Sequence, residues 1–251
     1  MTASGKTIGV IVAAGVVMVG AISAVRGSAD RPAEVTTTPA GEFAAPGNLV
    51  AGLGIDVPAG ADEIRLVLGA TGNEARYRVR EQLARLSFPS DAVGATSALT
   101  GTLVLAADGS VVSDQSRFEV DLRTLTSDSD RRDGFIQRNT LGTEANPLAI
   151  FVPSEVHGLE SPVPGTEEVL FHLSGDLTIN GVTRPITWEV RARTADNTIL
   201  GNARTEFTFG EFGLERPSVA AILSVQDNIR LEYDFSLVPN AESAPLPVPE
   251  S

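Results

Sequence analysis

The chain has 251 residues, enough for one domain of ordinary size with appendages. Its net charge of -13, from 19 basic against 32 acidic side chains, argues against a nucleic-acid partner, which would call for Lys and Arg in excess, and against docking on an anionic lipid surface. Having no cysteine excludes disulfide, thiolate and Cys-based metal chemistry, and two histidines are too few for a His-rich metal site.

Thr7 to Val25 reads TIGVIVAAGVVMVGAISAV and carries no charge. As a helix this run would reach about 28 Å, close to the hydrocarbon core of a bilayer. It is apolar on every face and stands at the terminus beside a linker, which fits a membrane segment better than a core helix. Two readings stay open for residues 1–26: an uncleaved transmembrane anchor, favoured because the run reaches Val25 without a polar break, and a signal peptide cleaved near Ala21-Ile22-Ser23. Both place the rest of the chain outside the cytoplasm. Residues 27–63 follow as a flexible linker, too poor in large apolar groups to fold from Gly27 to about Gly47, with Asn48 to Asp62 ambiguous. The folded domain is expected over residues 64–238, and residues 239–251 as a disordered tail.

Within the domain the dominant period is two, the mark of strands with one dry and one wet face. Arg76, Arg78 and Arg80 alternate with Tyr77 and Val79 and read as a solvated face. Leu103 and Leu105 lead into Asp108-Gly109, a turn signal, and Val111-Val112 follow. Phe118 and Val120 alternate with Glu119 and Asp121. Residues 127–147 break the period and suggest a short helix or irregular cap, with Ser127, Asp128 or Ser129 as its N-cap. Phe171, Leu173, Leu177 and Ile179 then resume the alternation. Asn180-Gly181, the strongest short-range hairpin signal, joins them to Ile186, Trp188 and Val190. Asp196-Asn197 can close another hairpin onto Ile199 to Phe209, which holds Phe207. Ile229, Leu231 and Tyr233 alternate in the last strand. Tight hairpins make the strands antiparallel, and many one-sided strands in succession must close on themselves or stack.

Gly175 to Trp188, GDLTINGVTRPITW, resembles the signature hairpin of YceI-like lipid/polyisoprenoid-binding domains. Other blocks stand in that family's order. They are Gly94 and Gly101, Arg132-Asp133 after Leu125-Thr126, Asn146 to Phe151, Phe207 to Gly213, and Val225 to Ile229. The resemblance covers roughly Tyr77 to Leu237. It implies an all-β, antiparallel, lipocalin-like barrel of about eight strands with a short helical insertion, whose interior holds a long polyisoprenoid chain. The chain departs from the family in lacking a His within residues 75–88 and in having Asn180 where many members carry a second His, so a His contact to a ligand head group is not carried over.

A barrel of this size is either filled by its own side chains or holds one ligand. The inward candidates are Leu103, Leu105, Phe118, Val120, Phe171, Leu173, Leu177, Trp188, Val190, Phe207, Phe209, Ile229, Leu231 and Tyr233. Gly101, Gly175, Gly201, Ala192 and Ala203 interrupt these rows and are expected to leave volume. Arg131, Arg132 and Arg138 are candidates for a diphosphate head group at the mouth. The alternative for Arg132 and Asp133, preferred here, is that they pair locally to pin the irregular segment. Ser218 and Ser224 have no nearby His, and carboxylates and His do not cluster at metal spacings, so the chain is read as a non-enzyme without cofactor or metal. Its expected partner is an isoprenoid or other long-chain lipid. The competing reading is a filled barrel whose outer surface binds an envelope partner.

Overall fold

A computed structural model describes residues 48–55, 61–159 and 168–240. The expected anchor over residues 1–26, most of the linker and nearly all of the tail lie outside the described residues. Among the described residues no helix is long and apolar enough to cross a membrane.

The alternating segments form β1 (Glu63–Leu68), β2 (Glu74–Leu83), β3 (Ser90–Thr96), β4 (Leu99–Ala106), β5 (Arg117–Asp121), β6 (Leu148–His157), β7 (Val169–Ile179), β8 (Val182–Ala195), β9 (Thr198–Phe207) and β10 (Ile222–Pro239). All pairings are antiparallel, in the order β1-β4-β5-β6-β7-β8-β9-β10-β2-β3, and β1 also pairs with β10. β10 is long enough to serve two partners along one edge. Ile222 to Asp234 pairs with β2, and Leu237 to Pro239 pairs with β1. β1 and β2 are thus two stretches of one interrupted strand. β3 and β4 repeat the arrangement opposite them, with Ala75 facing Thr96 and Ile64 facing Leu105. The ten strands therefore make an eight-membered closed ring. The interruption at 69–73 is pinned to β10. Asn73 Nδ2 donates to the Gly69 carbonyl at 2.7 Å, and Asn73 Oδ1 accepts from Ser236 N–H at 2.9 Å.

Turn chemistry follows the residues that supply it. Asn180 and Gly181 (φ 50° and 73°) close the β7–β8 hairpin, and Asp196 and Asn197 (φ 48° and 60°) close β8–β9. Both pairs take the left-handed conformation that a two-residue turn needs at both positions. The Asp108-Gly109 turn forms, but its return arm is one bridge, Leu105 to Val111, before a 3-10 turn at Ser113–Gln115. The strand expected to reach Phe209 stops at Phe207. Phe209–Phe212 instead make a 3-10 turn held by a capping box between Thr208 and Glu211. Asp227 accepts from Phe209 N–H at 3.2 Å, from a bulge where β10 departs from the β2 register between Val225 and Ile229. The break over residues 127–147 holds α2 (Asp130–Phe135), N-capped by Ser129 and continued by a π turn at Ile136–Thr140.

Within the linker expected over residues 27–63, the stretch left ambiguous, Asn48 to Asp62, contains a short helix. Leu49–Leu53 form α1, with Asn48 capping its start and Gly54 (φ 59°) ending it. Leu49, Val50, Leu53 and Ile55 are buried in the core, and Thr194 Oγ1 donates to the Leu53 carbonyl at 2.6 Å. α1 closes the end of the barrel where β8 finishes and β9 begins. A five-residue helix is marginal alone, so its apolar face in the barrel is what stabilises it. Leu49→Ala should lower the stability of the domain by about 3 kcal/mol in urea denaturation. Asn48→Ala, which removes the cap, should cost about 1 kcal/mol. An unchanged midpoint for Leu49→Ala would mean that α1 is not part of the cooperative core.

Candidate functional site

The inward faces of the strands enclose a cavity of about 880 Å³. It runs from Leu49, Leu53 and Ile55 of the α1 plug to Arg131, Phe135 and Ile136 of the α2 region and to Val219 through Ile222. Leu103, Leu105, Phe118, Val120, Phe171, Leu173, Leu177, Trp188, Val190, Phe207, Phe209, Ile229, Leu231 and Tyr233 all line it. Strand parity accounts for all of these but Phe209, which enters from the turn after β9, because once one residue of a strand faces inward every second residue does.

The glycines of these rows do not supply the volume as expected. A methyl group on Gly101 would lie 2.2 Å from the Phe118 ring, and one on Gly94 would lie 2.2 Å from that of Tyr77. On Gly201 it would meet Phe235 at 2.5 Å, and on Gly175 it would meet Phe151 at 2.8 Å and the Val152 carbonyl at 2.3 Å. Gly101 faces Phe118, Gly94 faces Tyr77 and Gly201 faces Phe235 across neighbouring strands. Each ring lies over the bare backbone of a glycine. The rings therefore occupy the wall, and the lumen is the space they vacate. Edge contacts between Phe151 and Trp188 (centroids 5.9 Å apart) and between Phe118 and Tyr233 (6.4 Å) fix the rings among themselves.

At the mouth the three arginine candidates separate. Arg131 is exposed and lines the rim. Arg138 is exposed, folds back over Gly134 and is not part of the lining. Arg132 is committed: it donates to Glu81 at 2.9 Å and to Ser127 Oγ at 3.3 Å, and pairs with Asp128. Burial pulls its guanidinium pKa down, but the bonds to Asp128 and Glu81 outweigh that and leave it raised. Asp133 accepts from Ser127 N–H at 2.9 Å and from its hydroxyl at 2.5 Å. The Arg-Asp pair thus pins the segment, as the local reading has it. Arg76 and Arg78 bridge to Glu74, Asp234 and Glu232 along the β2–β10 seam. His157 ends β6 and faces His172 across the β6–β7 ladder.

Sequence reasoning missed Tyr77, Glu81 and the α1 residues. Asn48 ahead of LVAGL and Gly54 behind it were a legible cap pair. Glu81 is 5% exposed, and nothing local distinguishes it from the polar residues beside it. Burial among the lumen walls pushes the Tyr77 hydroxyl up to about 12, and burial raises Tyr233 further. Trp188 Nε1 and Tyr233 Oη are buried without a hydrogen-bond partner among the described residues.

Arg132→Met leaves Glu81 buried beside no cation and should cost about 3 kcal/mol, and adding Glu81→Met should recover most of it. Chemical denaturation around this double-mutant cycle measures both. A tyrosine whose pKa is raised by folding stabilises fully below its unfolded value of 10.0 and loses that contribution as pH climbs towards about 12. Stability should therefore fall over that window, less steeply in Tyr77→Phe.

A family model described as a YceI-like domain matches residues 72–237. Among curated proteins no match is found. Solved structures similar to this chain include a polyisoprenoid binding domain from Saccharophagus degradans, implicated in plant cell wall breakdown. It is 14% identical, covers 70% of this chain and 98% of its own, and gives a TM-score of 0.54. BcnA of Burkholderia cenocepacia is also 14% identical, over 65% of this chain and 95% of its own, with a TM-score of 0.48. The YceI protein of Campylobacter jejuni is 14% identical, over 63% and 90%, with a TM-score of 0.48. At that identity the first likeness is one of fold, while the family match runs from the loop pinned by Asn73 to the strand that closes the ring. The chain belongs to the family of YceI-like domains.

Proposed function

We propose that this barrel is a binding module, not an enzyme, that holds a long apolar lipid of polyisoprenoid type outside the cytoplasm, tethered to a membrane by residues 1–26. The observation that carries this reading is the open lumen of about 880 Å³, continuous from the α1 plug to the mouth. Such a volume lies within the range of ligand pockets. At about 30 Å³ for each water-sized group it would take roughly thirty methylene-sized units. Burying about 400 Å² of tail contributes about 10 kcal/mol. That is of the same order as the roughly 4–15 kcal/mol lost on association. A short tail therefore binds weakly, and each added methylene contributes about 0.8 kcal/mol until the lumen is full. The fold of the Saccharophagus degradans domain, which is named for polyisoprenoid binding, supports the same reading by analogy. An open interior counts against a filled barrel that works through its outer surface.

Trp188 is the single tryptophan and lines the lumen, so its emission reports occupancy. The full chain, released from its detergent micelle in the gas phase, should still carry a lipid in native mass spectrometry. After delipidation, a graded series of polyprenols should shift Trp188 emission with affinity rising about fourfold per methylene equivalent and then levelling. Ala203→Phe with Ala149→Phe, both in the lumen wall, should abolish uptake and leave the fold intact. A lipid-free spectrum together with no dependence on chain length would overturn the assignment. Carbonate extraction of membranes and protease access from outside the cell test the tether and the location.

A further inference from the structure

The large apolar side chains left exposed among the described residues are Leu86 (41%), Phe88 (79%), Val219 (39%) and Leu223 (68%). They stand together at the mouth. β2 and β10 continue beyond the ring there: Leu83 faces Ile222, and Ala84 N–H donates to the Ala221 carbonyl at 3.0 Å. Leu86 and Phe88 follow this pair on one side, and Val219 and Leu223 flank it on the other. The arrangement is built, since Gln82 Nε2 donates to the Leu86 carbonyl at 2.7 Å and Ile222 N–H to the Val219 carbonyl at 2.9 Å. Of the four, Val219 joins Leu83, Ala84 and Ala221 in lining the lumen, so the exposed apolar cluster adjoins the interior through Val219. Arg85 and Arg131, both exposed, border the same opening.

We propose that this lip inserts into the interfacial layer of a phospholipid bilayer, so that a lipid passes between bilayer and lumen without crossing water. This rests on the lipid-binding reading. Moving an apolar chain through water costs about 0.8 kcal/mol for each exposed methylene, and an apolar bridge from bilayer to lumen removes that cost. Arg85 and Arg131 are placed to meet lipid phosphates. The net charge of -13 repels a strongly anionic surface, so the occupant is a zwitterionic bilayer. A protein partner would give no reason for the cluster to adjoin the lumen.

The test uses the full chain in a Trp188→Phe background. Phe88→Trp places the only indole on the lip, and Ser110→Trp places it at the plugged end. Phosphatidylcholine vesicles with brominated acyl chains should quench the lip indole about twofold, as insertion to about 5–10 Å requires, and leave the other unquenched. Phe88→Asp with Leu223→Asp should slow polyprenol uptake from vesicles about tenfold or more while leaving uptake from detergent-dispersed polyprenol unchanged. No quenching at the lip, as a protein-binding surface would give, or equal quenching at both ends, overturns the proposal. Absent quenching in a chain that still carries lipid removes the lip alone, whereas lip quenching in a chain that takes up no lipid removes the lumen reading and leaves insertion standing.

Discussion

An eight-stranded ring is narrow enough for its own side chains to fill it, and the packing of aromatic rings onto glycines keeps this one open. Phe118, Tyr77 and Phe235 each lie over a glycine on the adjacent strand, and Phe151 lies over Gly175. A ring that would otherwise project across the lumen is turned along the wall. The inward rows stay apolar, the wall stays well packed, and a space of about 880 Å³ remains. Substituting any of these glycines would return a ring to the interior or press on backbone, so the vacancy is a property of pairs across strands and not of small residues by themselves.

The two ends of the tube are treated differently. At the closed end Leu49 and Leu53 of α1 and Ile55 just beyond it form the floor, apolar side chains with no charge among them. At the open end Glu81, Arg132, Asp128 and Asp133 form a network with Ser127 that fixes α2 beside the mouth. A buried carboxylate is tolerated there because its cation is held in place by further bonds. The network leaves Arg132 no freedom to greet a ligand and leaves Arg131 and Arg85 facing outward.

What could be read from the sequence was what depends on neighbours in the chain. Period two marked the parity of β2, β4, β5, β7, β8, β9 and β10, and Asn180-Gly181 and Asp196-Asn197 marked the hairpins, so the lumen-facing rows were legible down to Ile229, Leu231 and Tyr233, whereas β3 and β6 show no such alternation. What could not be read depends on partners far along the chain. Gly101 meets Phe118 only after β4 and β5 pair, and Glu81 meets Arg132 only after the ring is complete. α1 escaped because five residues are too few to show helical period, though its caps were in view. The reach of β6 to His157 was not legible, because the strand passes through a bulge between Pro153 and Glu155 that alternation does not reveal.

β10 is the last strand to be made, and it seals the ring on both sides, pairing Leu237 with Ile199 of β9 and with Leu68 of β1. A nascent chain lacking it is an open sheet with one greasy face uncovered. Contacts of such sequence separation form slowly, and an uncovered face invites aggregation meanwhile. Synthesis of this strand therefore sets the moment at which the interior first exists as an enclosed compartment.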